Sequence, residues 1–292
     1  MMRYGLPVVY ALFLWWSSTG VIVYLDGLPR RTFRWTLLGA TVLLGAALVG
    51  LQSALADTSV AGAYCAFTCG LAVWGWIEVF FLMGPLTGPR KLPCPPDAKG
   101  WHRVGLAFQT ILYHELAIVA GAAVVVALSW GAPNQIGTWT FLVLWAMRTS
   151  AKLNVFLGVR NLSEEFLPAH LTYLRSYLAH RPMNLLFPFC VSAATIMVIS
   201  LVQRATAETA TAFHATGYTF VAALLGLAIL EHWFLVVPLP STALWSWSLK
   251  THTPVAIEPT PAPPVGAADA AQRSWSFSSA RLRLLIRPAA QS

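Results

Sequence analysis

The feature that most constrains this chain is a series of seven apolar stretches, at about 4–25, 36–56, 58–84, 104–130, 136–159, 185–203 and 215–238. Crossing ~30 Å of hydrocarbon at ~1.5 Å per helical residue takes about 20 apolar residues, so each stretch predicts a membrane span. Composition agrees. Of 292 residues, 57% are hydrophobic and 10% charged, whereas a soluble domain has about a quarter of its residues charged. A water-soluble globule is excluded, and the expected fold class is all-α, a polytopic integral membrane protein. Only Asp57 divides the second and third stretches, which predicts a tight antiparallel hairpin. The first stretch has no A-x-A-like cleavage site and reads as a retained anchor rather than a signal peptide.

Seven spans put the two termini on opposite sides, and the cations choose between the sides. The 26–35, 85–103 and 160–184 loops and the C-terminal segment together hold fifteen Lys and Arg, whereas the other side holds only Arg3 and Arg204. By the positive-inside rule the richer side is cytoplasmic and the N-terminus faces outward. The transmembrane domain is expected over residues 1–250, with an interfacial helix at about 169–180. Residues 251–292, rich in Pro and Ala, read as a flexible cytoplasmic tail in which 279–287 mixes cations and aliphatics. Cys65, Cys69, Cys94 and Cys190 form no paired C-x-x-C site and read as small thiols. There is no internal repeat and no Gly-rich phosphate loop, and no nucleic-acid partner is expected.

Ionisable side chains inside a bilayer are costly unless paired, so each one in a span is a candidate site residue. Glu78 lies near the end of the third span, His114 and Glu115 in the fourth, Arg148 and Lys152 one turn apart in the fifth, and Glu231 and His232 in the seventh. Following the chain direction puts all of them in the cytoplasmic half. The 160–184 segment adds Glu164, Glu165 and His170 on that side. Convergence on one cytoplasm-facing polar pocket is expected, with Arg148 and Lys152 as charge partners and Trp74, Trp76 and Trp233 as adjacent aromatics.

Three readings of this cluster stand at the level of sequence. Carboxylates and imidazoles from several helices could hold a dinuclear metal, as in di-iron oxidoreductases, although the usual Glu-x-x-His spacing is absent. His114 or His232 could ligate the magnesium of a chlorin, with Ala117, Gly121 or Gly226 admitting a flat ring. The acids could instead be ion-paired to Arg148 and Lys152 as helix staples in a ligand-free scaffold. The Trp residues, mostly near span ends, otherwise serve as interfacial anchors.

Five segments carry a family resemblance. They are residues 15–31, beginning Trp15-Trp16-Ser17-Ser18-Thr19-Gly20; residues 63–78, ending Trp76-Ile77-Glu78; Tyr113-His114-Glu115-Leu116; residues 152–168, from Lys152-Leu153-Asn154 through Ser163-Glu164-Glu165-Phe166-Leu167-Pro168; and Glu231-His232-Trp233-Phe234-Leu235. Over about residues 1–250 the chain resembles photosynthetic complex assembly proteins of the PuhE type. The resemblance implies a membrane factor for reaction-centre and light-harvesting assembly that handles bacteriochlorophyll or a precursor. Implied partners are the bilayer, subunits of those complexes and tetrapyrrole pigment. It brings no catalytic residues, and a metal-dependent oxidoreductase acting on a pigment, carotenoid or quinone is the alternative.

Overall fold

A computed structural model describes residues 2–162, 166–238 and 241–251. Glu164, Glu165 and almost all of the tail, including 279–287, lie outside them. Among the described residues are seven α-helices: α1 (Met2–Asp26), α2 (Arg30–Ala54), α3 (Val60–Leu82), α4 (Gly100–Ser129), α5 (Ile136–Leu157), α6 (Leu186–Thr206) and α7 (Ala212–Val236). A nine-residue 3-10 segment, Ala169–Tyr177, lies between α5 and α6. Six of the helices are long and apolar enough to cross a membrane; α5, which carries Arg148 and Lys152, is not among them. The chain is thus an all-helical, multi-pass membrane protein.

Capping residues mark several helix ends. The Ser59 hydroxyl accepts from the Gly62 amide at the start of α3, and the Thr211 hydroxyl accepts from His214 at the start of α7, each satisfying one of the unpaired first-turn donors. The α2–α3 turn spans residues 55–59, where the Ser59 amide donates to the Asp57 carboxylate at 2.8 Å. Bonds from the Ser59 hydroxyl and amide hold the Asp57 carboxyl below the usual range.

Asparagines join helix ends across the chain. The Asn134 amide donates to the carbonyls of Ala54, Asp57 and Gly62, and its oxygen accepts from Ile136 N, tying the α2–α3 turn to the start of α5. Asn161 donates to Phe234 O and Val237 O at the end of α7. Asn184 donates to Asn154 O and Gly158 O at the end of α5, while its oxygen accepts from Leu186 N and Phe187 N at the start of α6. Each amide thereby serves orphan groups at helix termini that lipid could not satisfy.

Helices α3 and α7 are the most enclosed, half of the most apolar window of each being buried. Their hydrophobicity is spread around the helix because they have neighbours on all sides. Phe67 of α3 stacks on Phe220 of α7 at 4.3 Å, flanked by Tyr64 and Tyr10, and the Tyr10 hydroxyl bonds Thr68 at 2.8 Å. The outer helices present large apolar side chains outward, among them Val42, Val49 and Ile196. For a membrane protein this exposed apolar surface is its contact with lipid.

Candidate functional site

Toward the opposite end of α3, polar side chains replace the aromatic stack. Arg148 Nη2 of α5 donates to Glu78 Oε2 of α3 at 3.3 Å, and Glu78 Oε1 lies 4.0 Å from His114 Nε2 of α4. One turn along α5, the Lys152 ammonium donates to Glu115 of α4. The two cations therefore bind α5 to α3 and to α4. Glu78 is buried, whereas the Arg148 side chain is 44% exposed, and the guanidinium also feels Glu231 and Glu115.

The adjacent acid–histidine pairs divide their duties, as the ~100° turn between neighbouring helical residues requires. His114 and His232 face inward at 1% exposure. Glu115 turns to Lys152, and the exposed Glu231 accepts from Trp15 Nε1 of α1 at 2.8 Å. His232 has both ring nitrogens engaged: Nδ1 donates to Ala228 O at 2.8 Å, and Nε2 bonds the Ser150 hydroxyl of α5 at 2.8 Å. This fixes the tautomer and leaves no lone pair for a metal. His114 is the reverse case. Neither of its nitrogens has a hydrogen-bond partner, nor has Glu78 Oε1. Buried polar atoms are normally paired, so an unpartnered imidazole beside an unpartnered carboxylate oxygen is an exception within this bundle.

The loop after α3 holds His114 in place. The Thr87 carbonyl accepts from the amides of Tyr113 and His114 at 2.9 and 3.1 Å, and Arg90 N donates to Gln109 O at 3.4 Å. An external chain thus enters the middle of the α4 ladder, a recognised cause of helix deformation. The approach demands glycine at position 88, where a Cβ would lie 2.0 Å from Gln109 O. Because Phe81, one residue before the end of α3, meets His114 in a tilted ring contact at 4.3 Å, the first thirteen or so residues of α4 project past α3 by about 20 Å at ~1.5 Å per residue. His114 accordingly sits close under the rim of the bundle.

Above it lies the 3-10 segment. Leu171 and Leu174 pack on Phe81 together with Ile111 and Leu82. Tyr177 receives Arg90 Nε at 2.7 Å and donates to Leu92 O at 3.0 Å, while Arg103 donates to its carbonyl at 2.6 Å. His170 lies away from the acids, against Phe33 at 6.2 Å. Burial, with Arg30 and Lys91 nearby, holds its pKa below the ordinary value.

The sequence expectation and the geometry compare residue by residue. Glu78, His114, Arg148, Glu115 and Lys152 come together, with Glu231 and His232 on the neighbouring α7. Trp74 packs edge-on against Phe141 at 5.5 Å, Trp76 donates to Thr41 at 3.2 Å, and Trp233 meets Phe187 at 5.3 Å. Of the small residues expected to admit a flat ring, Gly121 faces Ile77 and Phe141, while Gly226 has open space. Among the described residues no three of His, Cys, Asp and Glu form a group able to hold a metal ion. Sequence reasoning missed Trp15, Ser150, Phe81 and Thr87. The small hydroxyl of Ser150 between the two α5 cations was the available signal; Thr87 contributes a main-chain carbonyl and has none.

The family described as "Protein of unknown function (DUF3623)" matches residues 1–256. A relative from Rhodobacter capsulatus, described as an uncharacterized 30.4 kDa protein in the puhA 5' region, is 36% identical over 250 residues, 84% of this chain and 91% of that protein. No solved structure matches.

Proposed function

We propose, since the chain belongs to the DUF3623 family and has a relative named for the puhA region, that it is an inner-membrane assembly factor for the bacterial photosynthetic apparatus. In this reading it handles bacteriochlorophyll or a precursor, with His114 as the pigment-facing ligand. All seven helices span the bilayer, N-terminus periplasmic and C-terminus cytoplasmic. Helix α5 joins the other six because Glu78 and Glu115 neutralise its two cations, and its 22 residues reach about 33 Å at ~1.5 Å each.

The observation that carries the pigment reading is the state of His114. Leaving a buried polar group unbonded costs about 1–3 kcal/mol, and the free imidazole nitrogen of His114 is a group that would hold the magnesium of a chlorin. His232 does not fit that role, both of its nitrogens being committed. The bonds that Thr87 O accepts from the Tyr113 and His114 amides fix the backbone that carries His114, and Phe81 with the 3-10 segment forms its cover. Bound there, the pigment's magnesium supplies a Lewis-acidic centre; the protein's part is to orient the ring and exclude water.

Purification from a phototrophic host, with absorption spectrum and metal content measured on the same sample, tests this. A chlorin band that persists in His232→Ala and disappears in His114→Leu is the expected result. Bound iron or zinc would instead support a metal-dependent oxidoreductase, and a stable protein without pigment would leave a scaffold. Orientation is tested separately by a reporter fused after Lys250: activity there of a reporter that works only in the periplasm overturns the assigned topology.

A further inference from the structure

The α5–α6 junction, apart from the His114 cluster, is built to present positive charge beside apolar surface. Arg160, His180, Arg181 and Pro182 line a surface cavity of about 440 Å³. Arg160 and Arg181 are twenty-one residues apart in sequence and are brought together by an isolated parallel bridge: Val159 N donates to Ala179 O at 3.2 Å and Arg181 N to Val159 O at 3.1 Å. Gly158 makes the arrangement possible. Its φ of +120° suits glycine alone, and the Arg181 stem lies where a Cβ would be, 2.7 Å from Cγ and Cδ. Asn184 then locks the ends of both helices around the site.

Neither guanidinium makes a hydrogen bond or ion pair with a described residue. Arg90 and Arg103 nearby are, by contrast, bonded to Tyr177 and to main-chain carbonyls. From the same junction two apolar stripes run along the helices at one-turn spacing, Leu157 and Leu153 on α5, and Leu185 and Phe189 on α6, between 43% and 82% exposed. A pair of guanidinium forks with no partner among the described residues, at the head of two exposed apolar stripes, matches one ligand chemistry: a phosphate ester bearing long alkyl chains.

We propose that this junction binds an anionic phospholipid, its phosphate between Arg160 and Arg181, His180 at the rim, and its acyl chains along Leu153, Leu157, Leu185 and Phe189. Its success or failure is separate from that of the pigment reading, since it involves none of the same residues.

The full chain in neutral detergent, titrated with short-chain phosphatidylglycerol, phosphatidylcholine of equal chain length, or inorganic phosphate, decides the matter through thermal stabilisation and native mass spectrometry. Preference for phosphatidylglycerol over both other probes is expected. R160Q/R181Q weakens its binding by about tenfold or more, while R160K/R181K, keeping the charge but losing the fork, weakens it by about threefold. R30Q/R31Q, which removes equal charge from exposed positions on the α2 N-terminus, changes it less than about twofold. The lysine pair also serves as the readout should the glutamine pair fail to fold. Equal loss in R30Q/R31Q means diffuse attraction and overturns the site. Inorganic phosphate binding as well as the lipid overturns the lipid assignment, and indifference between the two phospholipids overturns both.

Discussion

Near the α2–α3 turn, the meeting of α3 and α7 is an aromatic stack in which Phe67 and Phe220 lie flat together and the flanking Tyr10 hydroxyl has a partner. About three turns on along α3, Glu78 meets Arg148 of α5 and His114 of α4, and one of its oxygens and an entire imidazole are left unbonded. Both regions are buried in the same helix bundle, so lipid cannot explain the contrast. One end spends its contacts on holding α1, α3 and α7 together. The other retains unbonded polar groups that weaken packing, which is the contrast the proposed pigment site rests on.

Mutations at the two ends should therefore differ in what they cost and what they abolish. Phe220→Ala should destabilise most, by about 3–5 kcal/mol for a fully buried ring, seen as a large fall in thermal midpoint in detergent with the pigment spectrum retained in the folded fraction. Glu78→Ala orphans Arg148; breaking a buried pair costs about 3–5 kcal/mol, and the partial exposure of Arg148 brings the expectation down to about 2–3. Glu78→Ala combined with Arg148→Met should recover much of that loss, and a double variant no better than the single one would refute the pairing. Asn184→Ala, which removes bonds at two helix ends, should cost about 1–2 kcal/mol.

His114→Leu is the sharpest comparison. It loses no hydrogen bond and removes a buried imidazole with unbonded nitrogens, so stability should hold or rise, by up to about 1–3 kcal/mol, while pigment binding disappears. A stability loss on the scale of Phe220→Ala would show that His114 is packing and not a site. The smallest effect belongs to His170. Its pKa is lowered in the folded state, so below the unfolded value of about 6.5 the unfolded chain takes up a proton that the folded chain resists. Stability should fall as pH drops through that point and then level off once the folded-state histidine also protonates. His170→Gln should flatten this slope, which pH-dependent thermal melts of the two proteins can measure.

The helices and the charged residues within them are legible in the sequence because apolar length and intramembrane charge are local properties. Which member of a Glu–His pair turns inward is not, since adjacent residues differ by only ~100° and the choice depends on Lys152 and Trp15, far away in the chain. His232 looked equivalent to His114 until Ser150 was seen to occupy it. The entry of the 84–90 loop into α4 left only its glycine as a trace, because the groups that make the contact are main-chain atoms. The asparagine ties are hidden for the same reason: they recognise carbonyls at helix ends and not side chains.

Those ties also carry information about time. Every contact made by the Asn134 side-chain amide nitrogen is to a residue earlier in the chain, Ala54, Asp57 or Gly62. It can close as soon as α5 begins to emerge from the ribosome, fastening α2, α3 and α5 before α6 exists. The Asn161 partners, Phe234 and Val237, are made more than seventy residues later. The segment that follows α5 must therefore wait at Asn161 for the end of α7, so the last-made helix completes the structure around a bundle already fastened at its other end.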